Sequence, residues 1–231
     1  MAEVDLWQTR NNAIDFVAGP LAGVDRLIRA EFALLDLVIT EFDRPSGSDV
    51  FPRVCGLTTA KARALLQAIY SLILDGLAQE AGALLRPTLE AYELLVYFTL
   101  DRSRAEEAVA GRLPSAGTIA KRIGGSFMGL REHLNTNASH LAFTPYSMRH
   151  LVDYRTASLR TSQPFLPELL RENMEALFAI LALFTAQCVP ALETAGSAQS
   201  HTLADESDRL WSEGRALMAL GSRPSQSATQ S

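Results

Sequence analysis

The amino-acid sequence predicts an all-α protein, a bundle of five to seven helices with no sheet. Two observations support this prediction. Apolar residues recur at steps of three and four through almost every long segment, which places them along one face of a helix. No segment shows the alternation of apolar and polar residues, bounded by hairpin turns, that is typical of half-buried strands.

The first two predicted helices follow each other in the N-terminal part of the chain. An apolar stripe runs from Val24 to Phe42 and ends at the Pro-Ser-Gly-Ser sequence of residues 45–48. The next helix is predicted over residues 60–85. Thr58 or Thr59 is its expected N-cap, because a hydroxyl there can accept a hydrogen bond from an unpaired backbone N–H.

A proline and a pair of glycines interrupt the helical pattern in the middle of the chain. Pro87 is expected to break or kink the second helix, after which the apolar spacing resumes as far as residue 100. Residues 101–113 are charged and predict a short helix or a turn. The Pro-Ser pair at 114–115 predicts the start of another helix. Gly124 and Gly125 weaken that helix, since each glycine costs about 1 kcal/mol relative to alanine.

The C-terminal part begins with a long connection over residues 141–163, which includes a helical turn. The most apolar helix follows over residues 168–194, and a last amphipathic helix is predicted over 203–220. We therefore predict one all-α domain over residues 1–220 and a disordered tail over 221–231.

The composition narrows the class of protein. The chain has 231 residues, 48% of them hydrophobic and 20% charged, so it can bury a substantial core. Its 21 basic and 26 acidic residues give a net charge of −5, which argues against a duplex-DNA binder. Cys55 and Cys188 have no CxxC neighbours, and the N-terminus lacks a secretory signal pattern. We therefore expect a cytoplasmic protein.

Residues 176–186 form the longest apolar run. These eleven residues are too few for a membrane span, which needs roughly twenty, and no Lys or Arg anchors flank them. We therefore expect a buried helix and no membrane partner. Because apolar residues cover this helix on nearly all sides, we also predict a homodimer that helps to enclose it.

The histidines are spaced too widely for a metal site. His133 and His140 are seven residues apart, which is about 10.5 Å along a helix. Metal-ligating nitrogens lie only about 2 Å from the ion. Neither a His-Glu-x-x-His motif nor a Glu-x-x-His pair is present. We therefore predict no metal and no cofactor.

A pair of opposite charges stands inside an apolar helix. Arg86 and Glu90 are four residues apart and can meet on one face, and Glu93 follows three residues later. Two interpretations stay open. The pair lies on the solvent side, where it contributes a few tenths of a kcal/mol, or it belongs to a polar site inside the bundle.

Residues 119–134 can also be interpreted as a DNA-binding helix-turn-helix. Ala120 and Gly124 fit the turn, and an amphipathic second helix follows. That second helix carries Phe127, Met128 and Glu132, and it is poor in groups that donate hydrogen bonds to bases or phosphates. Duplex DNA is therefore not the expected partner, although the form of the segment stays open.

Together with the Arg86 helix, the same segment resembles the HEPN superfamily, and more closely the bacterial helical-bundle families built on that fold. The shared pattern is an Arg and a Glu on one helix, then a polar turn and a His before a small loop. It covers about residues 60–145. The matching residues are Arg86, Glu90, Leu134, Asn135, Ser139, His140 and the Thr144-Pro145 pair.

The resemblance implies metal-independent cleavage of RNA. His140 would act as general acid or base on the 2′-hydroxyl, and Arg131 or Arg86 would stabilise charge on the phosphate. Eight residues separate Arg131 from His140, more than active members of the superfamily carry between Arg and His. The resemblance therefore implies the bundle more directly than the activity. The full candidate site comprises Arg86, Glu90, Arg131 and His140 as catalytic residues, and His133, Asn135 and Ser139 as binding residues.

Two function classes result. The first is a HEPN-like protein of the toxin or phage-defence type, a candidate endoribonuclease whose partners are RNA or another protein. The alternative is a non-enzymatic helical module that binds a ligand or a protein, similar to the effector domain of a regulator. The sequence leaves open whether the protein is catalytic.

Overall fold

The computed structural model describes residues 7–138, 148, 151–153, 155–160 and 163–221. Within these residues the chain forms nine helices and one short antiparallel strand pair. The elements are α1 (Gln8–Ala18), α2 (Ala22–Asp43), α3 (Val50–Leu74), α4 (Ala78–Leu100), α5 (Arg104–Val109), α6 (Ala116–Arg122), α7 (Met128–Asn137), β1 (Val152–Asp153), β2 (Ser158–Leu159), α8 (Pro167–Thr194) and α9 (Ser200–Gly221).

The all-α prediction is confirmed, and its details differ in two ways. The described residues contain more helices than the five to seven predicted, because the middle of the chain is divided into short ones. A two-stranded sheet also exists, with Val152 opposite Leu159 and Asp153 opposite Ser158. Strands of two residues are too short to show an alternating pattern, so the prediction of no sheet was wrong. The predicted tail is outside the described residues except for Gly221, which ends α9.

Helix α3 begins earlier than its sequence pattern indicated. The carboxylate of Asp49 caps it and accepts a hydrogen bond from the backbone N–H of Phe51 at 3.0 Å. Thr58 and Thr59, the predicted caps, lie inside the helix. Their hydroxyls donate to the carbonyls four residues earlier, at 2.8 and 2.9 Å. A threonine hydroxyl can therefore form a hydrogen bond inside a helix as well as cap its start, and the sequence alone did not distinguish these two positions.

The break between α3 and α4 falls at Gly76 rather than at Pro87. Gly76 has a φ of 74°, a left-handed conformation that ends the helix and that other residues rarely adopt. Pro87 lies within α4. Its missing N–H removes one helix hydrogen bond, but α4 has buried residues on both sides of it, such as Ala81 and Leu95. Packing of that face keeps the helix continuous.

The predicted helix after residue 115 begins as expected and then divides. The Ser115 hydroxyl caps α6 and accepts a hydrogen bond from the N–H of Thr118 at 3.4 Å. Gly124 and Gly125 have φ values of 97° and 66°. Their left-handed conformations turn the chain, so the two glycines separate α6 from α7 instead of merely weakening one helix.

Helix α8 lies at the centre of the bundle and packs against α2, α3, α4 and α9 of the same chain. Its buried residues include Phe178, Leu181 and Phe184, whereas Leu183 on the outer side is 44% exposed. The apolar coverage that motivated the homodimer is largely enclosed within one chain. The dimer itself stays a prediction.

The same helix has the length and apolar character of a membrane span. Within α8, an 18-residue window has a mean hydropathy of 1.8, and half of that window is buried inside the bundle. The central helix of a bundle and a membrane span both satisfy this criterion, so it carries little weight.

Candidate functional site

Three of the residues that the HEPN-like interpretation nominates as catalytic, Arg86, Glu90 and Arg131, lie where α7 packs against α4. Glu90 accepts a hydrogen bond from Arg86 Nε at 3.2 Å on its own helix, and Arg131 Nη2 of α7 lies 3.4 Å from the same Oε1 atom. Arg131 Nη1 donates to Glu93 one turn further along α4. Two guanidinium groups and two carboxylates therefore form one cluster, hereafter the α4–α7 charge cluster.

Exposure decreases along this charge cluster from its rim to its interior. The side chains of Arg86 and Glu90 are 35% and 30% exposed, that of Arg131 is 11% exposed and that of Glu93 only 2%. Both interpretations of the Arg86–Glu90 pair are thus partly correct. The Arg86–Glu90 pair lies at the solvent boundary, and Arg131 connects it to a buried ion pair with Glu93. The sequence pattern did not predict this buried pair.

The charges in the cluster largely compensate one another. Burial raises the pKa of Glu93, the Arg131 charge opposes this, and the Glu90 charge adds to it, so that the pKa stays above its ordinary value. The Arg131 guanidinium already contacts two carboxylates. Its capacity to bind a phosphate is therefore mostly used, and the cluster serves best to hold α7 against α4.

The other candidate residues do not form one site among the described residues. His133 is exposed on α7, whereas the next residue, Leu134, is buried. The Oδ1 atom of Asn135 is buried without a hydrogen-bond partner in the described part of the chain. Ser139 and His140 lie outside the described residues. The geometry thus joins Arg86, Glu90 and Arg131, three of the four residues nominated as catalytic.

The α6–α7 segment consists of a helix, a tight turn and a second helix, which is the order of elements that a DNA-binding helix-turn-helix requires. The inward face of α7 carries Arg131, whose guanidinium contacts α4. Its outward positions include Met128, Leu130 and Glu132. Such a surface offers few donors to bases or phosphates, so the geometry adds no support for DNA recognition.

No protein-family model, curated protein or solved structure matches this chain. The HEPN-like resemblance therefore rests on the residues quoted above. The described residues also contain no group of three His, Cys, Asp or Glu side chains that could hold a metal ion.

A second candidate site is a cleft of about 470 Å³ beside the start of α8. Helix α1, the α3–α4 turn, the residues before α8 and the first turns of α8 form its walls. The lining residues are Thr9, Ala13, Ile73, Leu74, Gly76, Ala78, Gln79, Arg160, Gln163, Pro164, Phe165, Leu166, Leu169, Leu170 and Asn173.

Hydrogen bonds and a ring contact fix the walls of this cleft. Arg10 on α1 binds the Asp75 carboxylate through two nitrogens, at 2.5 and 2.7 Å. The Thr9 hydroxyl donates to the carbonyl of Gln163 at 2.7 Å. The rings of Phe16 and Phe165 meet edge to face at 5.8 Å. The cleft is therefore built from contacts between segments that are distant in the chain.

Arg160 is the one charged side chain among the described lining residues. Its backbone N–H donates to the carbonyl of Leu151 at 2.8 Å, which extends the β1–β2 pair by one bond. Its Nε atom is buried and has no hydrogen-bond partner in the described part of the chain. The sequence analysis missed this site because its lining comes from four separate segments, none of which carries a motif.

Proposed function

We propose that this protein is a non-enzymatic helical module that binds a small, largely apolar molecule in the cleft beside α8. The observation that carries the proposal is the cleft itself. Its volume of about 470 Å³ lies within the range of small-molecule sites, roughly 300–1,000 Å³. Most of its lining is aliphatic or aromatic, and a few polar side chains interrupt it.

Preformed walls also support a binding role. The Arg10–Asp75 pair and the Thr9–Gln163 bond hold α1 against the two other segments. A site whose walls are already fixed loses less conformational entropy when a ligand enters, and so retains more of its interaction energy as affinity.

Nile red, a neutral apolar dye, tests this proposal. Leu166 lines the cleft and is 46% exposed, and Leu183 on α8 is 44% exposed outside it. These two leucines form a matched pair. We expect Leu166→Glu to weaken dye binding about tenfold or more, and Leu183→Glu to leave it nearly unchanged, because only the first places a charge in the apolar cleft. Equal binding by wild type and both variants, all folded by circular dichroism, would contradict the proposal.

A metal-independent ribonuclease of the HEPN-like kind is the second candidate function. The observation in its favour is that Arg86, Glu90 and Arg131, nominated from the sequence, converge between α4 and α7. It ranks second because two carboxylates engage Arg131.

Incubation of the purified protein with total RNA in EDTA tests this second function. The ribonuclease proposal expects cleavage by the wild type, its loss in His140→Ala and its retention in His201→Ala, a histidine on α9. Absence of cleavage by the wild type, or cleavage that survives in His140→Ala, would exclude the proposed role of His140.

A further inference from the structure

We infer that the cleft beside α8 binds a molecule that carries a carboxylate on an apolar body, with Arg160 as the group that binds the carboxylate. This inference rests on the proposed ligand-binding function and specifies its ligand class. It follows from three features of the cleft: an unsatisfied cationic donor, the absence of acidic groups among the described lining residues, and an extended apolar wall.

The unsatisfied donor is Nε of Arg160. A buried N–H without an acceptor is unfavourable, and it is more so when it belongs to a charged group, so native structures nearly always pair it. A carboxylate oxygen is the acceptor that suits a guanidinium best, because the hydrogen bond is charge-assisted and the planar groups match. The backbone N–H of Arg160 donates to the carbonyl of Leu151, and this bond holds the backbone of Arg160 beside the cleft.

The charge of Arg160 is not neutralised by the other described lining residues, which include no Asp or Glu. The acidic residue of the neighbouring α3–α4 turn, Asp75, is already bound by Arg10 through both of its oxygens. The described lining of the cleft therefore presents one positive charge to the contents of the cleft. Electrostatic complementarity favours a ligand with a single negative charge over a neutral or cationic one.

The apolar wall defines the rest of the ligand. Ile73, Phe165, Leu169 and Leu170 line the cleft, and they would bury a hydrocarbon body. Asn173 adds a polar side chain to the lining. A cation and an apolar wall in one cleft select a monocarboxylate with an aliphatic body rather than a sugar or a nucleotide, which would leave many hydroxyl groups unpaired.

Octanoate and octanamide distinguish the contribution of the carboxylate, because they differ in charge and share the same hydrocarbon chain. We expect displacement of Nile red from the wild type to require about tenfold less octanoate than octanamide. In Arg160→Gln the advantage of octanoate should disappear while octanamide still binds, which also shows that the variant is folded. Arg155→Gln makes the same charge change in the β1–β2 turn, outside the cleft lining, and should retain the advantage.

The possible failures separate the two proposals. Equal affinity of the wild type for both compounds, or an advantage of octanoate that survives Arg160→Gln, overturns the carboxylate inference and leaves the ligand-binding proposal standing. Failure of both compounds to displace Nile red that is bound in a Leu166-dependent manner also overturns it. If Nile red itself does not bind at the cleft, the proposed function fails together with the inference.

Discussion

The guanidinium of Arg131 on α7 donates a hydrogen bond to the carboxylate of Glu93 on α4, across 38 positions of the chain. The two side chains are 11% and 2% exposed. A buried ion pair of this kind contributes little over apolar residues of the same size, since both charges lose hydration. Removal of one partner is different, because it leaves the other charge buried and uncompensated.

Replacement of Arg131 by alanine should therefore lower the free energy of unfolding by about 3–5 kcal/mol, as measured by urea denaturation. Arg209→Ala is the matched control. Arg209 also contacts two carboxylates, but it is 56% exposed, so its loss should have a much smaller effect on the free energy of unfolding. The double variant Arg131→Met with Glu93→Leu should recover most of the stability. Equal, small losses in the two alanine variants would contradict this account.

The buried carboxyl group of Glu31 should make stability depend on pH. Its side chain is fully buried, Oε2 accepts a hydrogen bond from the Thr185 hydroxyl at 2.8 Å, and Oε1 has no partner among the described residues. Burial raises its pKa to about 7, against an opposing effect of the Thr185 hydrogen bond and a reinforcing effect of the Glu206 charge. The pKa in the unfolded chain is near 4.5.

The folded state thus holds a proton that the unfolded state releases between pH 4.5 and 7. This contribution to stability is fully present below pH 4.5 and is lost as pH rises through 7. The loss is on the order of 3 kcal/mol. In urea denaturation from pH 4.5 to 8, the free energy of unfolding of Glu31→Gln should rise relative to that of the wild type up to about pH 7. Above that pH the difference between the two proteins should stay constant. Thr185→Val removes the opposing hydrogen bond and should extend the decline to higher pH. Parallel wild-type and Glu31→Gln curves would refute the assignment.

Gly214 allows α9 to approach α8 closely. A Cβ atom at this position would overlap the ring of Phe178, at its Cε1 and Cζ atoms. Gly214→Ala should therefore destabilise the protein by about 1–3 kcal/mol or more, through displacement of packed side chains. Gly129→Ala on α7 is the control, since a Cβ there meets no atom from elsewhere in the described chain within 4 Å, and it should be neutral or stabilising by up to about 1 kcal/mol.

The stability of both glycine variants can be measured by thermal unfolding. Phe178→Leu introduced together with Gly214→Ala should cost less than the sum of the two single changes, because the smaller side chain removes the overlap. Strictly additive losses would show that the ring of Phe178 is not what limits the space at Gly214.

The two thiols should be inert in the folded protein. Cys55 and Cys188 are buried, and burial raises the pKa of each thiol to about 12. The Cys188 charge adds to the rise at Cys55, whereas a hydrogen bond with Thr59 opposes the rise at Cys188. At pH 8 only about one thiol in ten thousand would be ionised, and the thiolate is the reactive form. Ellman's reagent should therefore titrate neither thiol in buffer and both in guanidinium chloride. Rapid native-state reaction of either would contradict this expectation.

The sequence by itself determined the helices whose apolar residues are regularly spaced. The long helix predicted over 168–194 is Pro167–Thr194 in the structure, and the last one is Ser200–Gly221. It also determined the contact of Arg86 with Glu90, which are 3.2 Å apart. Both follow from the local geometry of a helix, where residues four apart lie on the same face whatever the rest of the chain does.

Only the tertiary structure decided which faces meet and what they bury. It placed Arg131 against Glu93, and it assembled the cleft beside α8 from segments separated by up to about 150 residues. It also added α1, whose apolar face was too weak to predict, and joined it to Asp75 through Arg10. Sequence patterns describe each helix alone. Burial of a charge or closure of a cleft depends on the free energy of packing between helices, which no single segment contains.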